Sequence, residues 1–578
     1  MDPAGGSLRR GYAIRSLVFS LALSCTALFA NAQTSAPAAA SADFPSKIEQ
    51  LFAKQRWEEI AQDLAPVSRR NADLDYYYGS ALAHLGRGAE AREVFLAGSR
   101  QRPRDKRFPI ELAGVAFQQK RYAEAAAWLH RGLRLDPRDA YANDFLGTVC
   151  FLQGNLEAAL KYWNRVGKPE IESVHPEHPL RIRPALLDRA LAFAPASSLL
   201  LPQLRTSQVR IAGLETFPVA HFQLAARDDG KFDVILNFQE RNGWGANKEE
   251  ALLSTLSGVA YQTLYPAYFN LDHSAINITS LVRWDSEKRR LGAELAGPLR
   301  QNPKWRYRLG FDLRDENWEI RDSFTGPAPL LGALNLRREV ASAEITSFNS
   351  GRWDWSAGLE FSHRDYRNVV PGSTLTPQLL LAGPQLKQIL AIGYDLWRVP
   401  EHRFTITTSG SSQLARIWSE PAEAFAKVQG SLAAHWLPKP EGDAYEAWFQ
   451  LRGGNTWGQP PFDELYMVGM ERDNDLWMRA HVGTRDGRKG SAPLGLRYVL
   501  TNSEMDKNVY GNGLVTVRVA PFLDSGKITD PSGNLGSSRW LWDTGAQAKL
   551  RVLGVGLTFI YGKDLLTGHN AYYFTAGR

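Results

Sequence analysis

Cysteine and long apolar runs are both scarce in this chain. It has two cysteines in 578 residues, Cys25 and Cys150, and Cys25 lies in the N-terminal targeting segment described below. One thiol therefore remains in the mature chain, which excludes an internal disulfide. No apolar run after that segment approaches the roughly 18 residues that a membrane-spanning helix needs, so a helical membrane protein is excluded too.

Sequence signatures of catalysis are also missing. The chain has no Gly-x-Ser-x-Gly, no His-Glu-x-x-His and no phosphate-binding loop. Paired carboxylates such as Asp315-Glu316 are interpreted as solvated strand ends. His175-Pro176-Glu177-His178 is interpreted as a solvated loop, because it is rich in proline and no third ligand lies nearby. We therefore predict a protein that is not an enzyme, with no catalytic residue, no cofactor and no metal.

The charge balance is moderately basic, with a net charge of +7 and a pI of about 9.2. The arginines are spread along strand-like segments and do not cluster in one arm, as they would for binding nucleic acid. Aromatic residues make up 11% of the chain, although the mean hydropathy is only -0.32. A polar, charged channel inside a barrel accounts for this composition, and we predict no nucleic-acid partner.

The N-terminus has the three parts of a secretory signal peptide: a basic start, an apolar stretch and a small-residue cleavage site. They are Arg9, Arg10 and Arg15, then Leu17 to Phe29, then Ala30-Asn31-Ala32. Residues 1–32 are therefore predicted to be removed on export. Residues 33–43, rich in Ala, Ser and Pro, are predicted to be a linker.

A 34-residue repeat follows, with small and large residues recurring at fixed positions. The repeated positions are Gly79, Ala113 and Gly147; Ala91, Ala125 and Ala159; and Phe95, Leu129 and Trp163. This is the tetratricopeptide period, in which small residues lie where paired helices touch and a large residue packs behind them. We predict about three and a half units over residues 44–167. Such stacks form a concave groove that binds a peptide or protein, although a simple spacer is the alternative.

From about Leu252 onward the sequence alternates between apolar and polar residues. In one example Trp305, Tyr307, Leu309, Phe311 and Leu313 alternate with Arg306, Arg308, Gly310, Asp312 and Arg314. A soluble sandwich also alternates, but many such strands in succession behind a signal peptide favour a membrane barrel. We count about sixteen runs, and predict a fold of an N-terminal α-solenoid followed by a transmembrane antiparallel β-barrel over residues 248–578.

Near the C-terminus, a loop-like segment with a lone arginine precedes an alternating strand. Val515, Val517 and Val519 share one face of that strand, whereas Phe522 and Asp524 lie on the other. With the valines facing lipid, Asp524 faces the barrel lumen. Folding of the preceding loop into the lumen would allow Arg479 to meet Asp524.

These residues resemble the barrel superfamily that includes BamA, TamA and FhaC, also called the bacterial surface antigen family. Phe522-Leu523-Asp524-Ser525-Gly526 matches its Phe-x-Asp-x-Gly strand motif in full. Gly469 and Arg479 fit its sixth outer loop, where Ala480-His481 replaces the usual glycine and aromatic residue. The resemblance implies a loop-to-barrel lock made of Arg479, Asp524, Phe522, Gly526, Gly469 and Glu504.

Two further positions follow from the same resemblance. Glu504 stands where the family has a glutamate. It lies an even number of residues from Leu494, Leu496, Tyr498 and Leu500 and so shares their face of the strand, which predicts that it faces lipid unless a bulge intervenes. The final run, Asn570 to Arg578, is similar to a β-signal, with Phe574 as the nearest candidate for its aromatic residue.

Residues 168–247 form a connector. Arg183 to Ala194 is predicted to be helical, and Val209 to Gly213, Val219 to Leu224 and Phe232 to Phe238 are predicted strands. Barrels of this superfamily are normally preceded by POTRA domains, which are small β-α-α-β-β units. The connector is either one reduced POTRA-like unit or a simple link.

The resemblance implies a Gram-negative outer-membrane protein that inserts or translocates polypeptides, or moves lipid. Its tetratricopeptide domain would lie in the periplasm and bind a protein partner or an unfolded polypeptide client, and its barrel would contact outer-membrane lipid. The alternatives are an exopolysaccharide export porin, which also joins tetratricopeptide repeats to a barrel, and a receptor or adhesin barrel.

Overall fold

A computed structural model describes residues 43–321, 329–370, 375–439, 444–512, 515–530, 535–537, 539–552 and 555–577. The predicted signal peptide and all but the last residue of the predicted linker lie outside the described residues. The chain divides into two compact units. Of the described residues, one unit holds 43–175, 194–201 and 223–235, and the other holds 176–193, 202–222 and those from 236 to 577.

The first unit is built mainly from consecutive helix pairs. They are α1 (Asp43–Ala53) with α2 (Trp57–Leu64), α3 (Ala72–His84) with α4 (Gly88–Gln101), α5 (Arg107–Gln118) with α6 (Tyr122–Leu135), and α7 (Ala140–Leu152) with α8 (Leu156–Trp163). A short 3-10 turn, Asn164–Val166, follows. The first pair is complete, whereas the repeat pattern predicts only its second helix, because α1 lacks the small-residue signature.

In the pairs α3–α4 and α7–α8, a bulky side chain of the second helix fills the space left by a glycine of the first. A Cβ atom added to Gly79 would lie 2.6 Å from the ring of Phe95, and one on Gly147 would collide with the ring of Trp163. The remaining predicted packing positions are all fully buried, namely Ala91, Ala113, Ala125, Leu129 and Ala159. The 34-residue recurrence of small and large residues is therefore a recurrence of one packing contact.

A left-handed residue ends the turn inside three successive pairs. Gly86, Lys120 and Gly154, each 34 residues from the next, have φ values of 77°, 58° and 69°. Glycine adopts this conformation without steric cost, whereas a lysine does not. The repeat is therefore one of backbone conformation as well as of packing.

The connector contains β1 (Glu170–Pro176), α9 (Pro184–Ala190), β2 (Ser197–Ser198), α10 (Leu201–Gly213), β3 (Val219–Ala226) and β4 (Phe232–Gln239). The strands form one sheet in the order β2-β1-β4-β3. The predicted strand over Val209 to Gly213 is wrong, because those residues end α10. Leu204, Ser207 and Ile211 are buried at intervals of three and four residues, which is the spacing of one helix face.

The barrel wall begins at Thr263, later than the predicted Leu252. Residues Lys248–Leu256 form helix α11, followed by a 3-10 turn over Val259–Tyr261. Asn247 caps the helix by accepting a hydrogen bond from the Glu250 N–H at 2.7 Å. This cap, which the alternation pattern does not reveal, explains the difference.

The strands of the second unit are β5 (Thr263–Leu264), β6 (Ala267–Leu271), β7 (Ile276–Trp284), β8 (Lys288–Leu299), β9 (Asn302–Arg321), β10 (Leu330–Ser347), β11 (Trp353–Val370), β12 (Gly383–Val399), β13 (Phe404–Ile417), β14 (Glu423–Trp436), β15 (Tyr445–Gly458), β16 (Tyr466–Met467), β17 (Thr484–Arg485), β18 (Arg488–Lys489), β19 (Leu494–Gly495), β20 (Arg497–Gly511), β21 (Val515–Thr529), β22 (Leu541–Val552), β23 (Val555–Asp564) and β24 (Asn570–Gly577). Short 3-10 turns lie at Pro400–His402 and Phe462–Glu464.

Apart from the short strands β16 to β19, of which β16 and β19 form a separate two-stranded sheet and β17 pairs with β18, these strands close into a barrel. In this barrel β24 neighbours β5 and β15 pairs directly with β20. β5 and β6 both pair with β7, so that together they make one interrupted strand. Among the described residues the wall then has fifteen strands, or sixteen when β5 and β6 are counted separately, in agreement with the prediction of about sixteen. The predicted α-solenoid followed by an antiparallel β-barrel is confirmed.

The wall has an apolar outer face and a charged inner face. On β9, Leu309, Phe311 and Leu313 point outward with 41–47% of their surface exposed, whereas Arg306 and Glu316 are buried. Side chains alternate across a strand, so the same segment supplies both faces. Within the described residues, none of the helices is both long and apolar enough to cross a membrane.

Candidate functional site in the barrel lumen

Residues 459–496, which connect β15 to β20, fold into the barrel, and we call them the lumen loop. Its side chains contact the inner faces of strands on opposite sides of the wall. Phe462 packs against Trp318 of β9, and Val468 and Met478 pack against Leu500 of β20. The loop is therefore held inside the barrel by contacts that are distant in sequence.

Arg479 of the lumen loop and Asp524 of β21 form a two-pronged ion pair. The guanidinium donates from Nε to Oδ2 at 2.8 Å and from Nη2 to Oδ1 at 2.6 Å. The Arg479 backbone N–H also donates to Oδ2 at 3.1 Å. The side chains of Arg479 and Asp524 are 4% and 0% exposed, so water screens the pair little.

Glu504 and Phe522 complete the surroundings of the same guanidinium. Arg479 Nη1 donates to Glu504 Oε2 at 2.6 Å, and the guanidinium carbon lies 3.9 Å from the centre of the Phe522 ring. Lys549 Nζ donates to the other Glu504 oxygen at 2.6 Å. The carboxylates and cations alternate, so each buried charge faces one of opposite sign.

The prediction that Glu504 faces lipid is wrong, although no bulge shifts its phase. β20 pairs regularly with β21 from Arg497 to Glu504. Tyr498 and Leu500, which set the predicted phase, are themselves buried on the inner face. They face inward because the lumen loop supplies an apolar surface for them there. Apolar residues therefore do not mark the lipid face where a loop fills the lumen.

The two glycines of the predicted lock lie where chains approach closely. A Cβ atom on Gly469 would lie 2.5 Å from Ala492 Cβ and 2.6 Å from the His481 carbonyl oxygen. One on Gly526 would lie 3.2 Å from Leu500 and 3.4 Å from Met478. The structure thus brings Arg479, Glu504, Phe522 and Asp524 into direct contact, with Gly526 beside Met478 of the loop. Gly469 instead shapes the interior of the loop.

A second anchor of the lumen loop, which the sequence analysis missed, lies on the opposite wall. Glu464 Oε1 lies 2.7 Å from Lys387 Nζ and 3.2 Å from Arg338 Nη2, and Lys427 Nζ donates to its backbone carbonyl at 2.8 Å. The neighbouring Asp463 lies 3.2 Å from Arg364. Two loop carboxylates therefore meet four cations from β10, β11, β12 and β14.

Asp473 is a third anchor. Its carboxylate lies 2.8 Å from Arg283 Nη1, 2.6 Å from Arg290 Nη1 and 3.1 Å from Lys489 Nζ. Lys489 in turn lies 2.7 Å from Glu316. The interpretation of Asp315-Glu316 as a solvated strand end is therefore wrong, because Glu316 lies within β9 and is buried against the lumen loop.

A histidine–carboxylate pair lies next to the arginine. The Ala480 N–H donates to Asp543 Oδ2 at 2.6 Å, and His481 Nδ1 lies 2.9 Å from the same oxygen. Asp543 belongs to β22 and Asp564 to β23, and one donor atom from each of His481, Asp543 and Asp564 falls within 4.8 Å of the others. Imidazole and carboxylate groups at this separation have the chemistry of a metal site.

Phe574 lies at the seam where β24 meets the first strand. Its ring centre is 4.7 Å from that of Phe559 on β23 and 5.6 Å from that of Tyr261. The Tyr261 hydroxyl donates to the Phe574 carbonyl at 2.9 Å. A side chain just ahead of the first strand therefore contacts the last strand directly.

Known proteins resemble the two parts of the chain separately. Residues 89–140 and 111–169 match the family described as tetratricopeptide repeat, which confirms the predicted repeats. Among curated proteins none matches the chain.

Among solved structures, the chain is similar to BamA from Haemophilus ducreyi lacking POTRA domains 1–3, at 12% identity with a TM-score of 0.41 over 71% of this chain and 84% of that chain. It is also similar to CdiB from Escherichia coli, at 13% identity with a TM-score of 0.45 over 71% and 75%. CdiB from Acinetobacter baumannii matches at 12% identity with a TM-score of 0.41 over 80% and 86%.

Proposed function

We propose that this protein is a Gram-negative outer-membrane barrel that inserts or translocates polypeptides, or moves lipid. Its tetratricopeptide repeats would lie in the periplasm and bind a client or partner protein. The observation that carries the proposal is the lumen loop, tied to the wall by the Arg479–Asp524 pair, at the residues that carry the resemblance to the BamA, TamA and FhaC superfamily.

The outer face of the wall supports insertion in a membrane. Leu359 and Phe361 on β11 and Leu390 and Ile392 on β12 expose 45–55% of their surface, and they continue the apolar face of β9. The wall strands also close into one barrel, with β24 neighbouring β5, as a hydrocarbon environment requires of a sheet. The signal peptide predicted over residues 1–32 would direct the chain across the inner membrane.

The occupied lumen favours this proposal over an exopolysaccharide export porin. A polysaccharide needs a continuous wet path, whereas the loop in this barrel is tied to several wall strands through buried carboxylates, among them Glu464 and Asp473. Displacing the loop would break several buried ion pairs together. A barrel that handles a client at its wall, next to the β24–β5 seam, needs no such displacement.

The connector supports a reduced POTRA-like unit. Apart from the two-residue β2, its elements follow the order strand, helix, helix, strand, strand. This order is the one that the resemblance implies ahead of the barrel. A simple link would need neither two helices nor a four-stranded sheet.

The location is tested by fractionating cells and comparing gel mobility with and without heating in detergent. The mature chain, starting near Gln33, is expected with outer membranes, and its unheated form is expected to migrate faster than its boiled form. Recovery as soluble protein from the periplasm would contradict the proposal.

Partner binding is tested with a photo-crosslinking residue at Gly114, in α5. A Cβ atom there meets nothing within 4 Å, so a larger side chain fits without displacing the helices. Specific protein crosslinks are expected at this position. The matched control is Glu93 of α4, whose side chain is 71% exposed. Equal crosslinking at both positions would contradict a specific protein-binding site in the repeats. Loss of exopolysaccharide on deletion of the protein, with no protein captured at Gly114, would favour the export porin instead.

A further inference from the structure

Three aspartates lie in a row across the inner face of the barrel. Asp524 of β21 is the cross-strand partner of Asp543 of β22, and Asp543 is the partner of Asp564 of β23. All three are at most 1% exposed. Like charges directly opposite each other on neighbouring strands repel, and burial strengthens the repulsion.

Only the first of these carboxylates has a full set of charged and polar partners. Asp524 accepts from the Arg479 guanidinium and, at 2.8 Å, from the Asn502 amide. Asp564 accepts from the Leu566 N–H at 2.9 Å and from the Thr567 hydroxyl, which are both neutral donors. Neither of these donors to Asp564 is a cation.

Asp543 is only half satisfied. Its Oδ2 accepts from the Ala480 N–H and faces His481 Nδ1 at 2.9 Å. Its Oδ1 is buried and accepts no hydrogen bond from the residues that the structure describes. A buried carboxylate oxygen without a partner is destabilising, and a bound cation relieves it.

We propose that His481, Asp543 and Asp564 bind a divalent transition-metal ion of the zinc type. One donor atom from each lies within 4.8 Å of the others, so a small inward movement brings all three onto one ion. An imidazole with two carboxylates suits zinc and its neighbours, whereas calcium and magnesium prefer oxygen ligands alone. The ion balances two buried carboxylates that one imidazole cannot.

The ion would join the lumen loop to two strands. His481 lies two residues after Arg479, while Asp543 and Asp564 belong to β22 and β23. The metal site would thus be a second clamp on the same loop segment, next to the Arg479–Asp524 pair. Binding is measured on the purified chain, so its failure leaves the proposed function untouched.

The test uses the full mature chain in detergent, stripped with a chelator and titrated with Zn²⁺ by calorimetry and with Co²⁺ by visible absorption. We expect about one ion per chain, with Co²⁺ bands typical of low-coordinate nitrogen and oxygen ligands. Asp543→Asn and Asp564→Asn keep the side-chain shape and are each expected to weaken binding at least about tenfold. His481→Ala should remove the Co²⁺ bands.

Two matched controls distinguish this site from others. His435→Ala removes a histidine that pairs with one carboxylate, Glu446, at 2.7 Å. His175→Ala with His178→Ala removes an exposed pair outside the barrel. Neither change is expected to alter stoichiometry or affinity, and heat-dependent gel mobility confirms that each variant is folded. No Co²⁺ bands in the wild type, unchanged affinity in both asparagine variants, or loss of binding only in the His175/His178 variant would overturn the proposal.

Discussion

The helical repeats and the barrel lumen are stabilised by different kinds of contact. In the repeats, a small residue such as Gly79 receives the ring of Phe95 from the next helix, within one 34-residue unit. In the lumen, Asp473 meets Arg283 from 190 residues away. The helix-pair contacts are apolar, local and repeated from unit to unit, whereas the anchors of the lumen loop are ionic, distant in sequence and different from one another.

This difference predicts how each region responds to substitution. A change in one repeat alters one copy of a contact that neighbouring units reproduce, so it acts locally. A change at one lumen anchor leaves a buried charge of the opposite sign without its partner. The largest effects are therefore expected at the anchors of the lumen loop.

Arg479→Ala and Asp524→Ala should give the largest effects. Arg479→Ala leaves buried Asp524 without its cation, and Asp524→Ala leaves buried Arg479 with Glu504 as its remaining carboxylate partner. Each is expected to reduce the free energy of unfolding by about 3–5 kcal/mol. The double variant should lose less than the sum of the two, and Arg479→Lys should restore only part, because lysine lacks the two-pronged geometry. Denaturant unfolding in detergent gives the values. If each single substitution changed the free energy of unfolding by less than about 0.5 kcal/mol and the two changes were additive, the two charges would not interact.

Glu464→Gln tests the second anchor. The substitution keeps the side-chain shape but removes the charge that faces Lys387 and Arg338. We expect a loss of about 3 kcal/mol in the free energy of unfolding, and faster trypsin cleavage of the lumen loop. Glu339→Gln is the control, because Glu339 pairs with Arg337 at the surface, where side-chain exposures are 46% and 50%. Equal effects of the two substitutions would rule out a buried anchor.

The helical region has a pH dependence of its own. Burial raises the pKa of Glu111 to about 7, although the Tyr76 hydroxyl donates to it at 3.4 Å. The unfolded chain ionises this group near pH 4.3. Its contribution should therefore favour the folded state at low pH and be lost as the pH rises towards 7, by about 1–3 kcal/mol.

Glu111→Gln should remove that contribution. The helical circular dichroism signal of wild type and variant, followed through denaturation at pH 5 and pH 8, measures it. The wild type is expected to lose more stability than the variant between the two pH values. Parallel pH profiles would show that Glu111 ionises in the folded chain as it does in the unfolded one.

Local patterns predict the repeats and the alternation of the wall, because both arise from residues close in sequence. Alternation also predicts correctly that Asp524 faces inward. It fails for Glu504, since the apolar surface that turns Tyr498 and Leu500 inward belongs to a loop that folds back from elsewhere. The alternation rule applies to a wall with lipid on one side and water on the other. Where protein fills the lumen, the inner face contacts protein, and apolar residues can face inward.

The partners of Asp463, Glu464 and Asp473 are not predictable from short-range patterns either. Each meets cations on strands that become neighbours only when the barrel closes. One signal was nevertheless present in the sequence. Inward-facing Arg338 and Lys387 need carboxylates, and the acidic Asp463-Glu464 of the loop could have been matched to them by charge alone.

The smallest effect is expected in the repeat turns, where the chain supplies its own comparison. Gly86, Lys120 and Gly154 occupy equivalent turns with positive φ, and a Cβ atom on either glycine would meet nothing within 4 Å. Any penalty at these positions therefore comes from the backbone alone. Lys120→Gly should stabilise the repeats by about 0.5–1 kcal/mol, and Gly86→Ala or Gly154→Ala should destabilise them by about 1 kcal/mol.

Lys120→Ala is the control, because it removes the lysine side chain while keeping the left-handed strain. Its stability should stay within about 0.5 kcal/mol of the wild type. If Lys120→Ala stabilised the chain as much as Lys120→Gly, the gain would come from removing the charge. If Gly86→Ala were neutral, the turn would tolerate a side chain, and the repeated left-handed residue would be incidental. If the left-handed backbone conformation sets the stability of these turns, Lys120→Gly should raise the free energy of unfolding and Gly86→Ala, at the equivalent position of the preceding pair, should lower it.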